Sequence, residues 1–181
     1  TEYNQQVNLI SRQDLANLEE RHLLHSLAIY SLGAFAENSY VLDLGTGGGL
    51  PGLPLAIVYP NVKFHLIDAT RKKIRIVQEL ITQLGLKNVQ ADHLRVEEIS
   101  SPGVYDYVVS RAVANLQTLW NYANPILKHN GLMLCLKGGD LSQEIKLLPK
   151  NIRVESRAIG EIFLESYFQE KYLLKISREL K

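Results

Sequence analysis

A carboxylate followed by three alternate glycines, Asp43-x-Gly45-x-Gly47-x-Gly49, is the part of this chain best suited to hold a ligand. Glycine lets the backbone approach a bound molecule closely, and a turn of this kind between a strand and a helix commonly seats a nucleotide. The surrounding residue types narrow which one. No Lys follows the glycines, as a phosphate loop of the form Gly-x-x-x-x-Gly-Lys-Ser/Thr requires. A dinucleotide fingerprint, Gly-x-Gly-x-x-Gly, would put its third glycine at position 50, where the chain has Leu50. Asp43 would also repel a diphosphate, and it suits a cationic or hydrogen-bond-donating group instead.

A second acid, Asp68, closes the run "FHLID" 23 positions after Gly45. An acid at that station accepts hydrogen bonds from ribose hydroxyls. Asp68 therefore supports a nucleoside, and Asp43 tilts the choice toward S-adenosylmethionine over NAD. A third station is "ADHLRVEEI", in the loop after the next strand, where Val96 and Glu97 are placed to meet an adenine. The fourth is "SRAVANL", at the end of the strand "YDYVVS", with Ser110 and Arg111 lining the acceptor pocket.

The acceptor chemistry follows partly by elimination. The Asn/Asp-Pro-Pro-aromatic segment used to methylate exocyclic amines is absent. A pyrimidine carbon would need a nucleophilic Cys, and the single cysteine, Cys135, sits mid-strand in an apolar run where it reads as packing. An acceptor atom that already owns a lone pair, such as a purine ring nitrogen, remains. Such a transfer depends on alignment and water exclusion more than on a general base. Arg111 has the side chain best shaped to bond a guanine edge or a phosphate.

These residues need elements to hold them. From Tyr40 onward short apolar runs alternate with helical patterns: "YVLDLG", a helix near 51–59, "VKFHLID", a helix from about Arg71 to Leu84, "NVQAD", "YDYVVS", a helix around 113–128, and "GLMLCLKGG". This rhythm implies a parallel sheet with right-handed crossovers, and "GLMLCLKGG", apolar on both faces, reads as a central strand. The helix after Asp68 carries the clearest stripe, at Ile74, Val77, Leu80, Ile81 and Leu84, with Gly85 just past its end. The tail reads as two more strands. Residues 14–36 have near-helical apolar spacing and predict one or two leading helices. The whole is expected to be one domain, 1–181, with a helical N-terminal extension over 1–39 and a Rossmann-like core over 40–181.

Composition bounds the partners. The 181 residues are 46% hydrophobic and 22% charged, an ordinary globular balance, and 20 cations against 19 acids leave a net charge of only +1. No global basic field announces a nucleic-acid binder, so any polyanion site is local. The candidates for an RNA track are Arg21 and His22, the cluster Arg71, Lys72, Lys73 and Arg75, Arg111, and Lys137 before Gly138. One cysteine fits a reducing cytoplasm. The five histidines show no metal-ligand spacing, so no metal is expected. No apolar run is long enough to span a bilayer.

With these motifs in place, the chain resembles the RsmG (GidB) family. "NLISRQDLANLEERHLLHSL" is similar to its leader, "DLGTGGGLPGLPLAIVYP" to its glycine signature, "RVEEI" to its Arg-Val-Glu-Glu, "SRAVANL" to its Ser-Arg-Ala and "LKGG" to its Lys-Gly. The resemblance implies a class I methyltransferase fold with a seven-stranded, mostly parallel sheet. It implies methyl transfer from S-adenosylmethionine to N7 of one guanine in bacterial 16S ribosomal RNA, within the 30S subunit or its precursor. It also implies donor-binding residues at Gly45, Leu50, Val96, Glu97 and Arg111, beside Asp43, Gly47, Gly49 and Asp68. His25 stands where the family usually has Asp, and the family has about two dozen residues before this chain's start, so one or two leading helices are expected to be missing. A monomer is expected. The readings left open are a small-molecule methyltransferase and a non-catalytic RNA-binding module with a donor pocket.

Overall fold

Val41 and Leu42 are both fully buried yet belong to different apolar clusters, because successive side chains of a strand point to opposite faces of its sheet. That strand, β1 (Tyr40–Leu44), lies near the middle of a seven-stranded sheet. A computed structural model describes residues 4, 7, 9, 12–33, 35–111 and 113–179. Asn8, Ile10 and Ser11 of the leader, and Ala112 of the Ser-Arg-Ala segment, lie outside the described residues.

After β1 come α2 (Gly52–Val58), β2 (Lys63–Asp68), α3 (Arg71–Gln83), β3 (Val89–His93), β4 (Tyr105–Arg111), α4 (Leu116–Ile126), β5 (Leu127–Gly138), α5 (Ser142–Lys146), β6 (Ile152–Ala158) and β7 (Lys171–Arg178), with α1 (His25–Leu27) preceding β1. The sheet order is β3-β2-β1-β4-β5-β7-β6. β3, β2, β1, β4 and β5 pair in parallel, and β7 inserts antiparallel between β5 and β6. This is the Rossmann-like class I architecture expected from the alternation of runs. The chain reverses its direction of winding at β1 and β4, so a crevice opens beyond their carboxyl ends, where ligands bind in doubly wound sheets.

The two clusters explain which runs were legible. One face packs Leu53, Leu55 and Ala56 of α2, and Ile74 and Val77 of α3, against Val41, Phe64 and Leu66. The other packs Leu116, Leu119, Trp120 and Ala123 of α4 against Leu42, Val108 and Met133. β5 is buried without alternation from Met133 to Leu136 because helices cover both sides of it. It begins at Leu127, four residues before "GLMLCLKGG", since the ladder resumes across a bulge opposite Tyr105–Tyr107. The predicted stripe on α3 is buried at Ile74 and Val77 and emerges at its end, where Leu84 is 52% exposed. Gly85 ends the helix at φ +65°, and Leu86 N–H donates back to Ile81 O at 3.1 Å.

The leading segment is less regular than its spacing suggests. A 3-10 turn at Arg12–Asn17 runs into a π-helical turn at Glu19–Leu24, then α1, then a 3-10 turn at Tyr30–Leu32 that stops at Gly33. A π turn places its residues off the α-helical register, often at a functional site. Here it brings His22 and His25 inward together. The short helix α5 had no signal in the sequence.

Asn88 holds the far end of the helix that follows the glycine turn. Its Nδ2 lies 3.1, 3.1 and 3.0 Å from the carbonyls of Ala56, Tyr59 and Val62. One carbonyl belongs to the last turn of α2 and two to the connection that leads into β2, so Asn88 ties the helix end to that connection. Asn88→Ala is therefore expected to lower unfolding stability by about 1–3 kcal/mol, measured by urea denaturation; a change of only a few tenths would contradict the role.

Candidate functional site

The glycine turn keeps its shape because Asp43 lies beneath it. Its carboxylate has no exposed surface, and Oδ2 accepts from Thr46 Oγ1 at 2.6 Å and from Gly52 N–H at 2.8 Å. Thr46 N–H donates to Ile67 O, and Gly49 and Leu50 N–H both donate to Thr46 O, so β1, the loop and β2 form one unit. Two glycines are dictated by close approach. A Cβ at Gly52 would lie 2.7 Å from Asp43 Oδ2, and one at Gly45, whose φ is +71°, would lie 2.7 Å from Val113 Cγ2. Thr46 was missed in the sequence, although a hydroxyl three residues after a buried acid inside a turn is a readable signal.

Asp68 faces the same loop. Gly47 N–H donates to its Oδ2 at 2.9 Å and Thr70 N–H to its Oδ1 at 2.8 Å. The acid predicted for a nucleoside hydroxyl thus stands half-buried at the end of β2, against the loop's second glycine. Leu50 departs from its expected setting. It is buried and borders an apolar cavity of about 490 Å³ with Leu18, Leu27, Leu53 and Leu80, while its N–H donates to Thr46 O within the turn. Val96 is similar: its side chain is buried in the α4 cluster. Glu97 is exposed beside it, and both border a smaller cavity of about 210 Å³ with Asn121 and Tyr122.

Opposite Asp43, at the end of β4, Arg111 is a cation with neutral partners. Its Nη1 donates to Arg21 O at 3.3 Å and contacts His22 Nδ1 at 2.9 Å, while its Nε is buried without a partner among the described residues. The carboxylates nearest to it are already occupied. Asp14 bonds Arg21 at 2.9 Å, and Asp43 bonds the loop through Oδ2. Asp43 Oδ1, like Arg111 Nε, is buried and unpaired. An orphaned carboxylate oxygen and an orphaned guanidinium Nε at the carboxyl ends of the neighbouring strands β1 and β4 are complementary to a ligand with both an ammonium and a carboxylate, since buried polar groups are normally satisfied. The amino-acid end of S-adenosylmethionine is such a group, so the residues present fit that cofactor. Among the described residues no group of His, Cys, Asp and Glu could hold a metal ion.

The expected RNA track separates. Arg71 and Lys72 are exposed and, with Arg75, Gln78 and His93, line a basic cleft of about 890 Å³. Lys137 is withdrawn from solvent: its side chain is 11% exposed, paired with Glu144 at 2.9 Å and donating to Ala114 O at 2.9 Å. A charge taken that far from water needs an internal partner, and Lys137 serves to pin the loop after β4. His22 is 8% exposed and lies behind Arg111, so it is an interior group. Arg21 is half-committed, bonded to Asp14 with its guanidinium 5.4 Å from the Tyr167 ring centre. Ser110 does not line the pocket; it is buried and donates to Leu44 O at 3.2 Å, tying β4 to β1. His25 is buried against Tyr167 and Phe168, and desolvation and then Arg111 lower its pKa to about 3. It is neutral and takes no acid's place. Cys135 is buried and its thiol is pushed up to about 12 by desolvation, which makes it packing and no nucleophile.

The family model described as GidB, rRNA small subunit methyltransferase G, matches residues 1–166. A protein of Chlorobium luteolum named ribosomal RNA small subunit methyltransferase G is 53% identical over 144 residues, which are 80% of this chain and 60% of its own length. A protein of the same name from Flavobacterium psychrophilum is 40% identical over 187 residues, covering 99% of this chain and 87% of its own. Among solved structures, a SAM-dependent methyltransferase from Aquifex aeolicus matches with a TM-score of 0.66 at 18% identity, over 92% of this chain and 98% of that one. That level of identity speaks to the fold alone.

Burial raises the pKa of Asp43 from 3.8 to about 6, against the pull of its bonds to Thr46 and Gly52 and of Arg111. The folded protein then holds this proton more tightly than the unfolded chain, so stability falls as pH rises from about 4 to about 6. At about 1.4 kcal/mol per pH unit the loss is about 3 kcal/mol. Asp43→Asn, which keeps an acceptor for Thr46 and Gly52, should remove this loss: urea unfolding should show the variant gaining on the parent protein across that window. Parallel pH profiles would contradict the assignment.

Proposed function

Taking as premise that this chain belongs to the rRNA small subunit methyltransferase G family, we propose that it transfers a methyl group from S-adenosylmethionine to N7 of a guanine in 16S ribosomal RNA. The observation that carries this reading is the pairing, at one end of the sheet, of a glycine turn held over a buried carboxylate with a buried guanidinium that makes no direct ion pair among the described residues. When bound, the donor supplies an electrophilic methyl carbon on a sulfonium.

On this reading the chain's own groups bind and orient. Asp43 acts through the loop and offers Oδ1 toward an ammonium. Gly45, Gly47, Gly49 and the Leu50 backbone shape the turn that passes beside the methionine portion. Asp68 receives the ribose hydroxyls, and Val96 and Glu97 border the adenine. Arg111 takes the donor's carboxylate or orients the guanine. The reacting lone pair belongs to N7 itself, so no side chain removes a proton first, and rate comes from alignment and from excluding water. The exposed cations Arg71 and Lys72 are placed to meet RNA phosphates. With a net charge of +1, recognition rests on the folded 30S subunit or its precursor more than on bulk attraction, and the enzyme acts as a monomer in the cytoplasm. Among the described residues no helix is long and apolar enough to cross a membrane.

Incubation with tritium-labelled donor and 30S particles lacking the modification should place label in 7-methylguanosine of the 16S RNA. Arg111→Ala should lower kcat/KM roughly a hundredfold. Label in metabolites alone, or tight RNA binding without turnover, would instead select a small-molecule enzyme or a binding module.

A further inference from the structure

His22 comes from the π-helical turn and Arg111 from the end of β4, 89 positions later, yet the two meet at 2.9 Å. A guanidinium can only donate, so His22 Nδ1 must accept, and the imidazole proton must sit on Nε2. The imidazole is therefore neutral in this contact. A protonated ring would have no acceptor to offer and would set a second cation against Arg111. The other bond to Nη1, from Arg21 O, also comes from an uncharged acceptor. Two neutral acceptors fix the direction of the guanidinium without cancelling its charge. An Asp or Glu in the place of His22 would have fixed it equally well and neutralised it.

Lys137 shows the contrast within the same end of the sheet. It is paired directly with Glu144, and its charge is spent inside the protein. Arg111 is left with Nε buried and unpaired, and among the described residues its Nη2 makes no hydrogen bond. A buried cation held in place with no carboxylate in direct contact is an anion site awaiting its anion.

We infer that His22 is a positioning residue that holds Arg111, as a cation without a directly bonded carboxylate, for the carboxylate of the methyl donor. The inference rests on the proposed function for the identity of that donor. It assigns to an interior histidine, expected from the sequence to touch RNA, a part in choosing between donor-like ligands that differ only in a carboxylate.

The test measures binding by calorimetry, with S-adenosylmethionine and with decarboxylated S-adenosylmethionine, on the parent protein and on His22→Phe and His22→Asn. The parent should prefer the carboxylate-bearing ligand by at least about tenfold, the worth of one charge-assisted hydrogen bond. His22→Phe, which fills the space but accepts nothing, should lose most of that preference while its affinity for the decarboxylated ligand stays the same. His22→Asn, whose Oδ1 takes the place of Nδ1, should restore the preference. Equal weakening of both ligands by His22→Phe would overturn the inference, as would an asparagine variant no better than phenylalanine at unchanged thermal stability. An unchanged donor affinity with a raised KM for RNA would also overturn it, because Arg111 would then serve the guanine. A parent protein that binds neither ligand would remove the proposed function itself, whereas one that binds both equally would remove only this inference.

Discussion

The carboxylate of Asp43 is the constraint on which the rest of the site depends. Burying an ionisable group completely is costly unless its atoms are bonded, and Oδ2 meets that requirement only by drawing in Thr46 Oγ1 and Gly52 N–H. Those two bonds set the path of the glycine turn, and the turn sets the direction in which α2 leaves the sheet. Gly52 follows from the same contact, since any Cβ there would strike Oδ2 or Leu66. The loop is shaped from below by a buried charge, and its upper surface is left free for a ligand.

The second organising fact is an asymmetry among cations. Lys137, Lys128 and Arg21 each have a carboxylate within 3 Å. Arg111 has only neutral acceptors, and its nearest acids are committed elsewhere. With Arg21 and Lys137 each paired to a carboxylate, Arg111 is left as a deeply held cation available to a ligand's anion. The same asymmetry leaves a negative Oδ1 and a positive Nε unpaired, among the described residues, at the ends of the neighbouring strands β1 and β4, which suits a zwitterion and disfavours a diphosphate.

Stability and binding pull against each other here. Asp43 is pushed up to about 6 by desolvation, so at neutral pH the fold carries a charged group it would be more stable without. Natural sites often hold such a group where function needs its charge. The leading segment shows a related compromise, since its π turn gives up regular helical bonding and brings His22 and His25 into the interior.

What the sequence determined by itself was local or periodic: the order of strands and helices from β1 to β5, the doubly wound sheet, the acid-glycine turn, the second acid at Asp68, and the packing role of Cys135. Each depends on residues a few positions apart, where backbone geometry dictates which side chains share a face. The tertiary structure alone decided how each charge was used. Lys137 reads as a surface cation until Glu144 closes over it, and His22 reads as an RNA contact until Arg111 arrives from 89 positions away. Leu50 breaks a fingerprint in the sequence, yet in the fold it is buried beside an apolar cavity and its backbone N–H closes the turn onto Thr46. The physical reason is that periodicity records burial, whereas the fate of a charge depends on which oppositely charged or neutral group the fold carries to it. Partners brought together by crossovers leave no spacing to read.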